Sequence, residues 1–147
     1  KTVSVTATGV AIGFGSTVIH DFPEGNILLL GVAGTIGFAG SGADANLSDT
    51  WSGDFGIGTT PAGDATITGA DVDIVPSTAI GAATAEVIAA ARVATAYTDL
   101  AIADNTDGSQ ELNLNLLIDA ADQVDTTVVE ITLSGTIQIA YVVLGDD

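Results

Sequence analysis

Residues 128–144 read Val-Val-Glu-Ile-Thr-Leu-Ser-Gly-Thr-Ile-Gln-Ile-Ala-Tyr-Val-Val-Leu. Val129, Ile131, Leu133, Ile137, Ile139, Tyr141 and Val143 all fall on odd positions, the period of two expected of a strand with one buried face. Ser134-Gly135 has the composition of a hairpin turn. A two-residue turn there would pair Leu133 with Thr136 and Ile131 with Gln138, and directly paired residues point to the same face. Apolar would then meet polar throughout. The parity survives only if Val128–Leu144 is one strand, bent or bulged at Gly135. At about 3.3 Å per residue such a strand spans roughly 50 Å, which predicts that it crosses from one sheet of a sandwich to the other or closes a barrel.

Leu112, Leu114, Leu116 and Ile118 repeat the pattern, with Glu111, Asn113 and Asn115 on the opposite, polar face. Toward the N-terminus, Val3, Val5 and Ala7 and then Val10, Ile12 and Phe14 alternate with small or polar residues. A reversal follows at His20-Asp21-Phe22-Pro23-Glu24-Gly25, where Pro and Gly supply the backbone angles of a turn. Asn26–Ala39 is apolar on both faces and reads as a strand covered on both sides, by the core or by another subunit. Ala65–Val75 alternates weakly and should end at Pro76, which lacks a ladder donor. Alanine-rich residues 83–92 leave room for one short helix or an irregular segment. Short strands divided about every ten residues by Gly, Asp or Pro give an all-β fold, a β-sandwich or jelly-roll-like domain spanning residues 1–147.

Nineteen acidic residues face only Lys1 and Arg92, a formal charge of −17. Nucleic acid is excluded as a partner, because phosphate neutralisation needs clustered Lys and Arg, and an anionic membrane is disfavoured on the same ground. The chain is nevertheless 47% hydrophobic, which rules out acidic disorder. Aliphatic surface in excess of one small core predicts a homo-oligomer. The longest apolar runs, Ile27–Val32 and Ile137–Leu144, fall short of the roughly 20 residues of a membrane-spanning helix. Thr2–Thr8 alternates as a strand directly after Lys1 and so does not read as a signal peptide.

Catalytic signatures are weak. Cysteine is absent, and His20, the only histidine, sits in a Pro-Gly turn where a metal site would need further N or S ligands. No serine lies in a G-x-S-x-G elbow. The many carboxylates dilute any glycosidase-like pair. Calcium has a better case at Asp104-Asn105-Thr106-Asp107-Gly108 and at Asp44, Asp49 and Asp54, but Thr106 stands where an EF-hand loop needs an oxygen-rich ligand, so a plain turn is expected. Asn46-Leu47-Ser48 matches a glycosylation sequon, a pattern common by chance. The expectation is a non-enzymatic protein without cofactor or bound metal.

From Gly40 to Gly63 the composition turns to Gly, Ser and Asp around Leu47, Trp51, Phe55 and Ile57. Loops carry binding more often than sheets do and aromatics dominate interface energies. These four residues are therefore the expected partner-contact surface.

Three stretches, Ala70–Ala79, Glu111–Ala120 and Ser134–Asp146, resemble the head decoration, or cement, proteins of tailed bacteriophages. The resemblance covers about a third of the chain and carries no catalytic signature. It implies a β-sandwich or jelly-roll-like subunit, often trimeric, that binds the major capsid protein on the outer capsid surface and reinforces the shell by packing. Repulsion between the carboxylates and packaged nucleic acid agrees with an outer position. An extracellular or cell-surface adhesion module, possibly stabilised by calcium, is the competing expectation.

Overall fold

The computed structural model describes residues 2–5, 13–40, 47, 48, 50–81, 89–96, 102–119, 122 and 128–145. The strands are β1 (Thr2–Val5), β2 (Gly13–Asp21), β3 (Ile27–Gly40), β4 (Gly53–Gly58), β5 (Val75–Ile80), β6 (Ala89–Ala96), β7 (Ile102–Ala103), β8 (Glu111–Ile118) and β9 (Val129–Val143). A single 3-10 turn at Gly69–Asp71 is the only helical element among the described residues.

Two antiparallel sheets face each other. The first has the order β1-β9-β3-β6, with the short β7 also pairing β3, and the second has the order β2-β8-β4-β5. Setting β7 aside, the pairs β4–β5, β3–β6, β2–β8 and β1–β9 nest one inside the next. The ribbon so formed is rolled until β9 meets β3 and β8 meets β4. This is the double Greek-key arrangement of a jelly roll. The β-sandwich reading of the sequence is therefore correct.

The parity holds from Val129 to Tyr141, while Val143 at the strand end is 41% exposed. Val129 and Ile131 are buried, and Leu133, Ile137, Ile139 and Tyr141 pack against the core, while Glu130, Thr132, Thr136 and Gln138 face out. Two expectations for this strand fail. It stays within one sheet, paired with β3 from Ile131↔Gly40 to Val143↔Ile27, instead of crossing between sheets. The register runs unbroken through Gly135↔Ile36, and the irregularity lies in the facing strand, between Leu29 and Gly31. Gly135 contributes a φ of 121°, so the strand adapts by a backbone angle open to glycine without an inserted residue.

Leu112, Leu114, Leu116 and Ile118 are fully buried on the inner face of β8, each worth about 1.5–3 kcal/mol relative to exposure. They meet Ile27, Leu29, Val32, Ile36 and Phe38 from β3, and the Phe38 and Phe55 rings lie 5.2 Å apart across the two sheets. At one end, Phe22 stands edge-on to His20 and to Tyr141, at 4.7 and 5.0 Å.

Several local expectations are corrected. Residues 89–92 belong to β6, which pairs with β3 from Phe38↔Ala89 to Gly31↔Ala96. A free β3 edge rewards extended backbone here, and tertiary pairing overrides the helix preference of alanine. Residues 83–88, the rest of that expected helix, lie outside the described residues, as do 6–12. The expected strand over Ala65–Val75 is instead a loop with the 3-10 turn, and Pro76 lies inside β5. β5 is an edge strand whose register shifts beside Pro76, between Phe55 and Ile57, a location that tolerates the missing N–H.

Candidate interaction face

The four expected contact residues do not form a surface. Trp51, Phe55 and Ile57 are 0% exposed and Leu47 is nearly so, all within the core between the sheets. β4 supplies Phe55 and Ile57 to the inner face, and Trp51 is held inward by its neighbour Ser52. The Ser52 N–H donates to Asp122 Oδ2 at 2.8 Å, and its hydroxyl lies 2.7 Å from Asp119 Oδ2 and 3.0 Å from Asp122 Oδ2. These aromatics stabilise the fold and leave nothing for a partner to touch.

The polar face expected for β8 is covered as well. Asn115 is fully buried beneath residues 59–73. Its Oδ1 accepts from Ser16 Oγ at 2.5 Å and from the Ala62 N–H at 2.9 Å, and its Nδ2 donates to the carbonyls of Thr60 and Asp71 at 2.9 and 2.7 Å. Every hydrogen-bonding site of the amide is used, which is the condition for burying it at little cost. The middle of the second sheet's outer face is thereby covered, while Pro76, Ser77 and Ala79 of the β5 edge strand stay exposed.

The acidic turns are likewise self-contained. Asp104 Oδ1 accepts from the Thr106 N–H and hydroxyl, and Asp107 Oδ1 from those of Ser109. Asp64 holds Thr66 in the same way. The hydroxyl and N–H of Ser109 keep the Asp107 carboxyl below the usual carboxylate range, and those of Thr66 do the same for Asp64. Buried Asn105 ties the turn to the 22–25 corner, donating to Pro23 O at 2.7 Å and accepting from the Gln110 N–H at 2.7 Å. Residues 104–108 form the turn expected of them, and among the described residues no three His, Asp or Glu side chains cluster as a metal cage. Asp44 and Asp49 lie outside the described residues.

The outer face of the first sheet is open over β3 and β9. Leu28 pairs with both Val142 and Ile102, and paired residues share a face. Leu30 is 44% exposed, Val142 41% and Ile102 58%, so a patch of aliphatic side chains meets solvent at this end of the sheet. Along the rest of the face lie Ala33, Thr35, Thr132, Thr136, Gln138 and Ala140. Across the fourteen residues of β3 there is no charged side chain, and across β9 only Glu130. No protein-family model, no curated protein and no solved structure matches this chain. The face therefore has to be read from its chemistry. In a chain of net charge −17, a sheet face whose central strands β3 and β9 carry a single charge, Glu130, with an aliphatic patch at one end, is suited to contact with another protein surface. Sequence reasoning marked β3 as apolar on both sides and hence covered by the core or by another subunit; in this structure its outer side is exposed at Leu30, Ala33 and Thr35.

Proposed function

We propose that the chain is a non-catalytic structural subunit of a virus particle, a decoration or cement protein that binds the major capsid protein on the outer surface of the shell. The observation that carries this reading is the outer face of the first sheet, where β3 carries no charge and β9 only Glu130, set on an otherwise strongly acidic chain. Leu30, Ile102 and Val142 would be its apolar contacts, while the carboxylates of the loops stay in water. The jelly-roll strand order is compatible with such a role, since this architecture recurs in viral capsid proteins, although lectins and cupins also use it. The partial resemblance of Ala70–Ala79, Glu111–Ala120 and Ser134–Asp146 to phage decoration proteins points the same way, and with it comes a trimeric assembly.

The mechanism is passive. Each copy seated on the lattice favours the assembled shell by mass action, because it binds that state and not the dissociated subunits. Co-sedimentation with purified capsids is the test. Wild-type protein should pellet with the particles in fixed proportion, and a Leu30→Asp, Val142→Asp double variant should remain in the supernatant at unchanged thermal stability. Equal pelleting of both proteins, or of neither, would refute the reading.

A further inference from the structure

An Asp or Asn side chain can be attacked by the backbone nitrogen of the residue that follows it, closing a five-membered imide that reopens in water to isoaspartate. A side chain on the following residue obstructs that closure, and glycine has none. Asp107 is the only Asp or Asn in the chain that precedes a glycine; the others are followed by residues such as Phe22, Val72 and Leu116. Asp107, Gly108 and Ser109 are all exposed, and Gly108 has a φ of 67°.

Composition makes this the reactive point of the chain, and the turn opposes the reaction at both atoms. The attacking nitrogen is occupied, because the Gly108 N–H donates to the Asn105 carbonyl at 3.0 Å. The carboxyl under attack is held as well: Asp107 Oδ1 accepts from the Ser109 N–H at 3.0 Å and from the Ser109 hydroxyl at 2.7 Å. Closing the ring requires turning the carboxyl off Ser109 and freeing the Gly108 nitrogen from Asn105. The carboxyl must also be protonated, so that its oxygen can leave as water. The bonds from Ser109 keep it below the usual carboxylate range, which makes the protonated form scarce near neutrality.

We propose that Asp107 is the residue at which this chain isomerises spontaneously, and that its hydrogen bonds from Ser109 hold the native rate far below that of the unfolded chain. The Gly108 nitrogen bonds to Asp107 Cγ, and the carboxyl hydroxyl leaves as water with the proton that the nitrogen gives up. Water then adds at the Asp107 main-chain carbonyl and breaks its bond to Gly108. Gly108 is left joined through Cγ, and the product has the mass of the starting chain. No oxidant, metal or cofactor takes part in either step.

The product carries one extra carbon in its backbone path, at a place where length matters. Asn105 accepts from the Gly108 N–H through its main-chain carbonyl and from the Gln110 N–H through Oδ1 at 2.7 Å, and it donates to Pro23 O at 2.7 Å. A longer path between residues 107 and 108 pulls Gly108 and Gln110 out of step with Asn105. Isomerisation therefore loosens the corner where 22–25 meets 104–110. The inference needs no partner and stands apart from the capsid reading.

The test ages the full chain at neutral pH, natively and in urea, and locates isoaspartate by peptide mapping with electron-transfer fragmentation, which separates isomers of equal mass. In urea the isomer should appear first at Asp107, and natively its rate should be lower by about tenfold or more. Ser109→Ala removes one of the two donors and should speed the native reaction by about three- to tenfold, the factor that one ordinary hydrogen bond is worth. Ser109→Thr keeps a hydroxyl and should age like wild type. Both variants are read where the Gly25 amide, which donates to the Asn105 carbonyl at 2.9 Å, stays protected from exchange, so that the corner is intact. Isomer arising mainly elsewhere in the unfolded chain would overturn the proposal. So would a native rate within about twofold of the unfolded one, or a Ser109→Ala protein that ages no faster than wild type.

Discussion

Gly135 of β9 lies so close to Thr35 of β3 that a Cβ at Gly135 would stand 2.1 Å from the Thr35 carbonyl oxygen. Its φ of 121° is also one that L side chains rarely adopt. Both effects oppose any side chain. Gly135→Ala should therefore cost about 2–4 kcal/mol, read as a lower urea midpoint at unchanged slope. Gly63→Ala is the control, since nothing lies within 4 Å of its added Cβ, and it should fall within about 0.5 kcal/mol of wild type.

Trp51 is a core residue, so its truncation should report on stability before any partner is involved. Trp51→Ala should cost about 3–5 kcal/mol. Its Nε1 is buried with no hydrogen-bond partner among the described residues, so Trp51→Phe removes an unpaired donor together with some packing area. That variant should lose less than half as much in the same denaturation experiment. A full-stability Trp51→Ala protein would contradict the burial.

At Asn115 the chemistry of the replacement should decide the cost. Asn115→Ala leaves the carbonyls of Thr60 and Asp71 without their donor, a loss of about 1–3 kcal/mol. Ala62 keeps Ser16 Oγ as an acceptor at 2.8 Å, so its amide should stay partly protected from exchange. Asn115→Asp is more damaging, because it buries a carboxylate against two carbonyl oxygens. Ranking the two variants by thermal unfolding checks the assignment of the amide.

Asp107 gives the pH dependence. Its folded carboxyl titrates below the ordinary value because Ser109 donates two hydrogen bonds to it. The stability it adds is therefore complete above the unfolded pKa and is lost as pH falls through the lower, folded one. An NMR titration of the side-chain carbon should show a midpoint below the ordinary aspartate value of 3.8. Ser109→Ala should move that midpoint upward. Asp64 should respond to Thr66→Ala in the same sense.

The parts of the fold that were legible in the sequence are those governed by the period of two. Val129–Val143 and Leu112–Ile118 each have one apolar parity, and that parity alone set the buried face. Trp51, Phe55 and Ile57 were misread because glycine and aspartate around them look like loop. Gly58, however, serves close packing: a Cβ there would stand 2.1 Å from the Ala70 carbonyl oxygen. Asn115 was read as solvated because alternation reports which residues share a face and says nothing of a loop that folds over it. Ala89–Ala96 was ambiguous because alanine accepts a helix or a strand, and only the waiting edge of β3 decides. The open outer face of the first sheet was hidden for a related reason, since Thr, Ala and Gln on a strand read the same whether they face water or another protein.

Electron cryomicroscopy of purified particles bears most directly on the role assigned to the first sheet. With the protein present, extra density should stand on the outside of the shell, with Leu30, Ile102 and Val142 turned toward the lattice and the 104–110 turn toward solvent. Particles without such density, or copies attached through their acidic turns with that sheet facing water, would contradict it.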